Sequence, residues 1–263
     1  MTFPKISIIT PSFNQANYLE TSINSVLKQN YPNLEYIIID GGSTDGSLDI
    51  IERYTSKLTY WISEPDEGHA NALNKGFAKT TGEIMGWLNS DDILHPGALS
   101  LLAEIFSGFD EVDWLTGQSS FIDPSGRIVM VHSPARWSRL RFLSGDYKWI
   151  QQESTYWRRR LWDKVGGTIS EEYSMACDFE LWVRFFRYAK LYSMDGLIGA
   201  FRFNPNQRTR TAMDIYQQEI QQILMREIAG LGPININEDT WWAKSLVPLK
   251  YNWQLNHFEN PNK

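Results

Sequence analysis

The first 115 residues alternate short apolar runs with stretches of helical periodicity, and this alternation restricts the fold more than any other feature of the chain. Strand-like runs occupy residues 6–9, 35–39 and 84–88, and apolar residues at helical spacing follow them. Strands that alternate with helices favour a mostly parallel sheet with helices on both faces. The sequence therefore predicts an α/β fold with a Rossmann-like sheet.

The second half of the chain has a different pattern. Short apolar runs at residues 121–122 and 128–131 flank the turn sequence Asp-Pro-Ser-Gly, which predicts a β-hairpin. Helices are expected over residues 178–189 and 211–229. The predicted parts are residues 1–115, residues 116–230 of the same domain, and a C-terminal tail of residues 231–263 that we expect to be loosely ordered.

Composition excludes several classes of protein. The net charge of −6 argues against a general nucleic-acid binder, which needs a basic face. The single cysteine, Cys177, cannot form an internal disulfide; it is typical of a reducing compartment, and we interpret it as a buried apolar residue. The sequence has no pattern of a signal peptide and no apolar window of the ~20 residues that cross a bilayer. We therefore expect a cytoplasmic protein.

Two acidic clusters lie where apolar runs stop. One begins at Asp40, and the other is Asn-Ser-Asp-Asp at residues 89–92. Ligands of open α/β sheets bind beyond the carboxyl ends of the strands, so both clusters point to one site. Adjacent carboxylates repel each other unless water or a cation separates them, and Mg²⁺ or Mn²⁺ beside phosphate oxygens would do so. From the residues alone, Asp40 is more simply a turn cap, and Asp92 is equally the N-cap of a helix expected over residues 96–106.

The loop after the first strand, residues 10–15, contains no glycine, and the chain has no P-loop. A dinucleotide-binding unit or a nucleotidyltransferase would carry a glycine-rich loop at this position. The backbone is therefore not expected to cradle a pyrophosphate here. If the protein binds a diphosphate, a metal must take over that role.

Five motifs now carry a family resemblance. They lie, in order, at residues 10–14, 40–46, 63–68, 72–76 and 87–92. This series resembles the inverting family 2 glycosyltransferases with the GT-A fold, over roughly residues 5–210. The resemblance implies a nucleotide-diphosphate sugar donor, most often a UDP-sugar, and a divalent metal cofactor, Mn²⁺ or Mg²⁺.

The resemblance also implies roles for individual residues. Asp91 would be the metal ligand, and Asn89 stands where many family members carry an aspartate, so it offers an oxygen without a charge. Gln152 would contact the acceptor. The residues expected at the nucleotide-sugar are Pro11, Ser12, Asn14, Asp40, Asp66, Asn74, Lys75, Asn89, Asp92 and Arg202.

Residues 176–182 resemble the acidic motif that precedes a helix in this family, with Asp178 in the position of the catalytic base. A carboxylate there would take the proton of the acceptor hydroxyl in a displacement with inversion. The residues themselves are also compatible with a helix N-cap at Asp178, and both roles can hold. Arg202, Gln207 and Arg208 fall where relatives carry a mobile loop over the diphosphate, which arginine is suited to bind.

The acceptor is expected to be a sugar or a lipid-linked sugar, in surface polysaccharide or glycolipid synthesis. Residues 136–142 and 156–162 are aromatic and basic, which suits peripheral contact with the inner face of the membrane. The two stretches fit slightly better as ordinary helix faces, with tryptophan in the core and arginine in solvent, than as a membrane surface. The alternative function is a catalytically silent nucleotide-sugar-binding or assembly subunit. Asn89, which lacks the charge of the usual aspartate, is the residue that supports this alternative. The sequence makes no prediction of oligomeric state.

Overall fold

The computed structural model describes residues 3–133, 137–145, 150–204, 207, 212–230 and 248–261. The strands are β1 (Ile6–Ser12), β2 (Leu34–Asp40), β3 (Tyr60–Ser63), β4 (Ile84–Trp87), β5 (Ile93–Leu94), β6 (Trp114–Ile122), β7 (Ile128–His132), β8 (Thr155–Arg158), β9 (Leu191–Arg202), β10 (Lys250–Asn252) and β11 (His257–Glu259). The helices are α1 (Ala16–Leu27), α2 (Ser47–Tyr54), α3 (His69–Phe77), α4 (Ala98–Gly108), α5 (Arg139–Leu143), α6 (Arg159–Lys164), α7 (Cys177–Phe186) and α8 (Met213–Ala229), with 3₁₀ turns at Thr55–Lys57 and Gln152–Ser154. None of the described helices is long and apolar enough to cross a membrane.

The central sheet has the strand order β3-β2-β1-β4-β8-β6-β9-β5, with β7 beside β6. Strands β3, β2, β1 and β4 are parallel, and so are β6 and β9. Strand β8 is antiparallel to both β4 and β6, so it joins the two halves of the chain into one sheet. The predicted α/β fold is confirmed, and β6 and β7 form the predicted hairpin.

Strand β2 shows why the parallel part of the sheet forms. Its residues from Glu35 to Asp40 are all buried, which is typical of a strand covered on both faces. Successive side chains alternate between two cores: Ile37 lies in the core with α3 and α7, and Ile38 lies in the core with α1, α2 and α4. Both faces of the sheet are therefore covered by helices.

A cluster of tryptophans fills the core on the α7 side of the sheet. The rings of Trp87 and Trp182 stack at 6.0 Å with an interplanar angle of 10°, and those of Trp114 and Trp182 stack at 5.6 Å. Three more tryptophans from the basic, aromatic stretches of the sequence, Trp137, Trp157 and Trp162, are buried in the same core. These rings do not form a membrane surface, which agrees with the ordinary interpretation of the two stretches. Arg136 lies outside the described residues.

Several boundaries differ from those expected. The fourth helix begins at Ala98 with Gly97 as its N-cap, so Asp92 does not cap it. The N-cap of α7 is Ala176, and Asp178 lies in the first turn. Cys177 is buried, as predicted. In the C-terminal tail, residues 248–261 form the hairpin of β10 and β11, which buries Leu249 in the core with α1, α2 and α4.

Close packing at Gly86 in β4 gives a test of the core. A Cβ atom at this position would lie 2.5 Å from the ring of Tyr156 on β8. We expect Gly86→Ala to lower the free energy of unfolding by about 1–3 kcal/mol because the aromatic ring and two strands must shift. Urea denaturation measures this change. Gly108→Ala is the matched control, since a Cβ there meets nothing within 4 Å, and it should leave stability equal or slightly higher.

Candidate active site

Asp40 ends β2 and is fully buried. Its Oδ2 accepts hydrogen bonds from the amides of Gly42 (3.1 Å) and Ser43 (2.9 Å) and from the hydroxyl of Ser63 (2.7 Å). Its Oδ1 accepts a further one from the hydroxyl of Ser43 (2.6 Å). Asp40 therefore closes the turn that follows its strand, and contact with a nucleotide base stays a prediction for this residue.

The loop after β1 is tied to the loop after β2. Asn14, which has a positive φ of 52°, donates its backbone N–H to the hydroxyl of Ser43 (2.8 Å). Its side-chain Oδ1 accepts from the backbone N–H of Thr44 (2.9 Å). The amide of Ala16 at the start of α1 donates to Asp45 (2.9 Å). Protein side chains thus occupy the beginning of α1, in line with the missing glycine-rich loop. Pro11 and Ser12 are buried at the end of β1.

Asp66 and Phe13 meet above Gly41. A Cβ at Gly41 would lie 2.7 Å from Oδ2 of Asp66 and 3.3 Å from the ring of Phe13. Asp66 is half-buried, and its Oδ1 accepts from the amide of Gly68 (2.8 Å). The ring of Phe13 is 60% exposed, so it presents an aromatic surface at the carboxyl end of β1. The missing side chain at Gly41 leaves the space that Asp66 fills.

Asn74 and Lys75 on α3 make contacts within the protein. The side-chain amide of Asn74 accepts from the backbone N–H of Ile169 (2.8 Å) and donates to the backbone carbonyl of Ile169 (2.9 Å). Lys75 forms an ion pair with Glu64 at 2.7 Å. These contacts place α3 against the loops that precede Asp66 and α7. Nucleotide-sugar contacts stay predictions for both residues.

The acidic turn after β4 is joined to the end of β9. The backbone amide of Arg202 donates to Oδ1 of Asp92 (2.8 Å), and its Nε donates to the carbonyl of Asp91 (2.6 Å). Oδ2 of Asp92 accepts from Asn89 (3.3 Å). Arg202 is buried as the last residue of β9, and Gln207 donates to its carbonyl. Arg208 lies outside the described residues.

The 3₁₀ turn before β8 brings two further polar residues to this turn. Gln152 is buried and donates its Nε2 to the carbonyl of Trp87 at the end of β4 (2.5 Å). Glu153 is 2% exposed and interacts electrostatically with both Asp91 and Asp178. Asp178, from the first turn of α7, therefore lies close enough to Glu153 for its charge to act on that carboxyl, and its own Oδ1 accepts a hydrogen bond from the amide of Phe179 (2.7 Å). The charges of Asp91 and Asp178 both act on Glu153, and the roles of these residues at a ligand stay predictions.

Exposure divides the four convergent carboxylates into two pairs. Asp92 and Glu153 are buried, whereas Asp91 and Asp178 are only partly buried and can reach a ligand. Burial raises the pKa of all four, to about 8 for Glu153 and about 6 for Asp178. Repulsion from Asp91 and Glu153 raises the pKa of Asp92 further. The arrangement concentrates negative charge that a cation would neutralise.

Several buried polar side-chain atoms of the residues considered above and of their neighbours lack a hydrogen-bond partner. Among the described residues, buried side-chain oxygens without a hydrogen-bond partner include those of Ser12, Asn89, Gln151, Gln152 and Glu153, and Nη2 of Arg202 is an unpaired buried donor. Oxygen donors of this kind fit Mg²⁺ or Mn²⁺, which proteins often hold through one or two carboxylates beside substrate phosphates. Within the described part of the chain, no three His, Cys, Asp or Glu side chains come together as ligands of one ion.

Comparison with protein families decides the family of the chain. The profile described as "Glycosyl transferase family 2" matches residues 7–162, more than half of the chain. The chain belongs to glycosyl transferase family 2. Among the most similar relatives of this glycosyltransferase is an uncharacterized glycosyltransferase of Rickettsia typhi, 28% identical over 80% of this chain and 68% of the relative. Another, from Mycobacterium tuberculosis, is 31% identical over 69% of this chain and 68% of the relative.

Solved structures show that the glycosyltransferase has the GT-A fold. One is S. aureus TarS 1-349 in complex with UDP-GlcNAc, with a TM-score of 0.71 and 21% identity, covering 91% of this chain and 71% of that one. Another is the mannosyltransferase PcManGT from Pyrobaculum calidifontis in complex with GDP-Man and Mn²⁺, with a TM-score of 0.64 and 17% identity, covering 93% of this chain and 70% of that one.

Sequence interpretation of this glycosyltransferase did not place Glu153 or Phe13 in the site. Glu153 follows Gln152 directly, but no spacing in the sequence shows that its carboxyl is buried and within range of the charges of Asp91 and Asp178. Phe13 lies within a recognised motif, and only the structure shows that its ring is exposed beside Asp66. Both assignments need the tertiary fold.

The buried carboxyl of Glu153 should reduce stability at high pH. Its pKa rises from 4.5 to about 8 on folding, so the wild-type protein loses stability as the pH increases across that window. Glu153→Gln removes this loss and should raise the free energy of unfolding by roughly 2 kcal/mol near pH 8, with a smaller gain near pH 5. Urea denaturation at both pH values, with a metal chelator present, measures the difference. Glu52→Gln on the exposed surface of α2 is the control, and an equal gain from it would contradict this account.

Proposed function

We propose that the protein transfers a sugar from a UDP-sugar to an acceptor hydroxyl with inversion of the anomeric configuration, using a divalent cation and Asp178 as the base. The acceptor would be a sugar or a lipid-linked sugar, in surface polysaccharide or glycolipid synthesis. Two observations support the proposal: the charges of Asp91, Asp92, Glu153 and Asp178 lie within range of one another, and Gln152 ties the turn that carries Glu153 to the end of β4. The family supplies the class of reaction, and these side chains supply its chemistry.

The nucleotide would lie across the carboxyl ends of β2, β1 and β4. Adjacent strands are about 4.8 Å apart, so the ends of β2 and β4 are separated by roughly 10 Å. Phe13 offers an aromatic ring to the base, and Oδ2 of Asp66 can accept a hydrogen bond from an N–H of that base. A UDP bound in this orientation would bring its diphosphate to the acidic turn. S. aureus TarS, with the same fold, binds UDP-GlcNAc.

Asp91 is the residue that would hold the cation, since it is the partly exposed carboxylate of the acidic turn. A bound divalent cation would neutralise charge on the diphosphate and on the leaving group. Asn89 could contribute its unpaired Oδ1. Asp92 is engaged by the amide of Arg202 and would support the turn. The unpaired Nη2 of Arg202 is a donor that suits a phosphate oxygen.

Asp178 is suited to act as the base. Its pKa of about 6 leaves the carboxylate mostly ionised at neutral pH but still able to hold a proton. In the proposed reaction, the acceptor oxygen bonds to the anomeric carbon as the bond to the diphosphate oxygen breaks. The hydroxyl proton passes to Asp178, and the nucleoside diphosphate leaves. One displacement inverts the configuration at that carbon.

Removal of the base should separate turnover from binding. We expect Asp178→Asn to lower the rate of transfer or of donor hydrolysis at least about 100-fold, because no group then accepts the proton. Nucleotide affinity should stay within about two-fold, since Asp178 does not contact the nucleotide in the proposed arrangement. Activity is measured as UDP release from a panel of UDP-sugars with Mn²⁺, and affinity by calorimetry. Binding without any turnover in the wild type would favour the silent subunit.

Two substitutions should separate base binding from metal binding. We expect Phe13→Ala to weaken UDP binding about 10-fold with or without Mn²⁺, because stacking on a base contributes ~1–3 kcal/mol. Asp91→Asn should weaken UDP binding only when Mn²⁺ is present. Thermal shifts with UDP, with Mn²⁺ and with both measure this difference. Equal UDP binding by wild type and Asp91→Asn in Mn²⁺ would contradict the assigned cation ligand.

A further inference from the structure

The carboxylate of Glu219 on α8 contacts the backbone immediately before Asp178. Its Oε1 accepts from the amide and the hydroxyl of Ser174, both at 2.8 Å. Its Oε2 accepts from the amides of Met175 and Ala176, both at 2.8 Å. One side chain therefore satisfies three successive backbone amides and one hydroxyl. Hydrogen bonds to an ionised carboxylate are among the stronger ones in proteins.

These contacts lie directly before α7, whose N-cap residue has no capping side chain. Helices usually begin with Ser, Thr, Asp or Asn, whose side chain satisfies an amide of the first turn. The N-cap of α7 is Ala176, which has no side-chain acceptor. Glu219 instead holds the backbone that leads into α7 from a different helix. The position at which α7 starts, and with it that of Asp178 two residues later, depends on this contact.

Packing fixes Glu219 relative to the core. The buried residues Tyr216, Ile220 and Ile223 of α8 belong to the aromatic core that also contains Trp182 of α7. Near the other end of α8, Glu227 is buried and forms ion pairs with Arg139 and with Arg187, which follows α7. Because α8 is anchored along its length, Glu219 is a rigid reference point for the start of α7.

We propose that Glu219 is a positioning residue for the catalytic base: its carboxylate fixes residues 174–176 so that Asp178 points towards the acceptor hydroxyl. The inference rests on the proposed role of Asp178. Glu219 also lies close enough for its charge to act on Asp178. Within the described residues, the ionisable groups that interact electrostatically with Asp178 are Glu153 from the turn before β8, Glu219 from α8 and the neighbouring thiol of Cys177.

Two substitutions separate the geometry of Glu219 from its charge. Glu219→Asp keeps the charge but is one methylene shorter, so it cannot span all four donors. Glu219→Gln keeps the length, loses the charge, and turns an amide NH₂ towards backbone N–H groups. We expect both to lower kcat about 10- to 100-fold, with KM for the UDP-sugar within about two-fold of the wild-type value.

The pH profile of kcat/KM gives a readout that a purely structural role would not change. Burial is the main cause that raises the pKa of Asp178 to about 6, and the negative charge of Glu219 adds a smaller increase. Glu219→Gln should therefore move the acid limb of the profile to lower pH, whereas Glu219→Asp should leave it in place. Hydrogen exchange of the amides of residues 174–176 should be faster in both variants. Glu172→Gln is the matched control, because it breaks the exposed ion pair of α8 with the same loop and leaves the Glu219 contacts intact.

The outcomes distinguish this inference from the proposed function. If the wild type turns over and Asp178→Asn does not, but both Glu219 variants keep kcat within two-fold of the wild-type value, the positioning role is wrong. It is also wrong if kcat falls only in proportion to a loss of folded protein, measured by circular dichroism. A wild type without turnover would instead overturn the proposed function. A kcat loss with unchanged nucleotide affinity and the shifted acid limb would support the positioning role.

Discussion

The hydrogen bonds between Arg202 and the acidic turn are the contacts on which the site depends. The turn follows β4, and Arg202 ends β9, more than a hundred residues later. The backbone amide of Arg202 engages Asp92, while its guanidinium contacts the carbonyl of Asp91 and the carbonyls of Asp123 and Pro124 in the β6–β7 turn. A single residue at the end of β9 therefore connects two loops. Without it, the carboxylate of Asp92 would lose the shorter of its two described hydrogen bonds, the other being the one from Asn89.

Charge is distributed unevenly around this site. Four carboxylates converge, and burial raises the pKa of each. Such an arrangement costs stability, because burial of an ionised group is unfavourable without a partner. Most other carboxylates in the described part of the chain that show a shift have a lowered pKa, as Glu35 does through hydrogen bonds with Ser7 and Thr81. Raised pKa values concentrated in one place are typical of functional sites.

The parallel half of the sheet could be predicted from the sequence because its strands are buried, β-branched and bounded by Gly and Asp. The acidic turn and the hairpin of β6 and β7 were found by local signals, whereas Asp178 was singled out because residues 176–182 resemble a motif of the family. Local signals do not reveal partners in space, so the sequence could not place Arg202 against Asp91 or Glu153 against Asp178. The contacts of Glu219 were equally out of reach, since an acid on an amphipathic helix resembles an ordinary solvated residue.

Strand β8 determines how the molecule can respond to its ligands. It is hydrogen-bonded to β4 on one side and to β6 on the other, so residues from both halves share one continuous ladder. A hinge rotation between the halves would break these bonds and separate the stacked rings of Trp87 and Trp182 beneath them. Movements induced by a ligand are therefore expected in the loops at the carboxyl edge of the sheet, while the strands beneath those loops keep their positions.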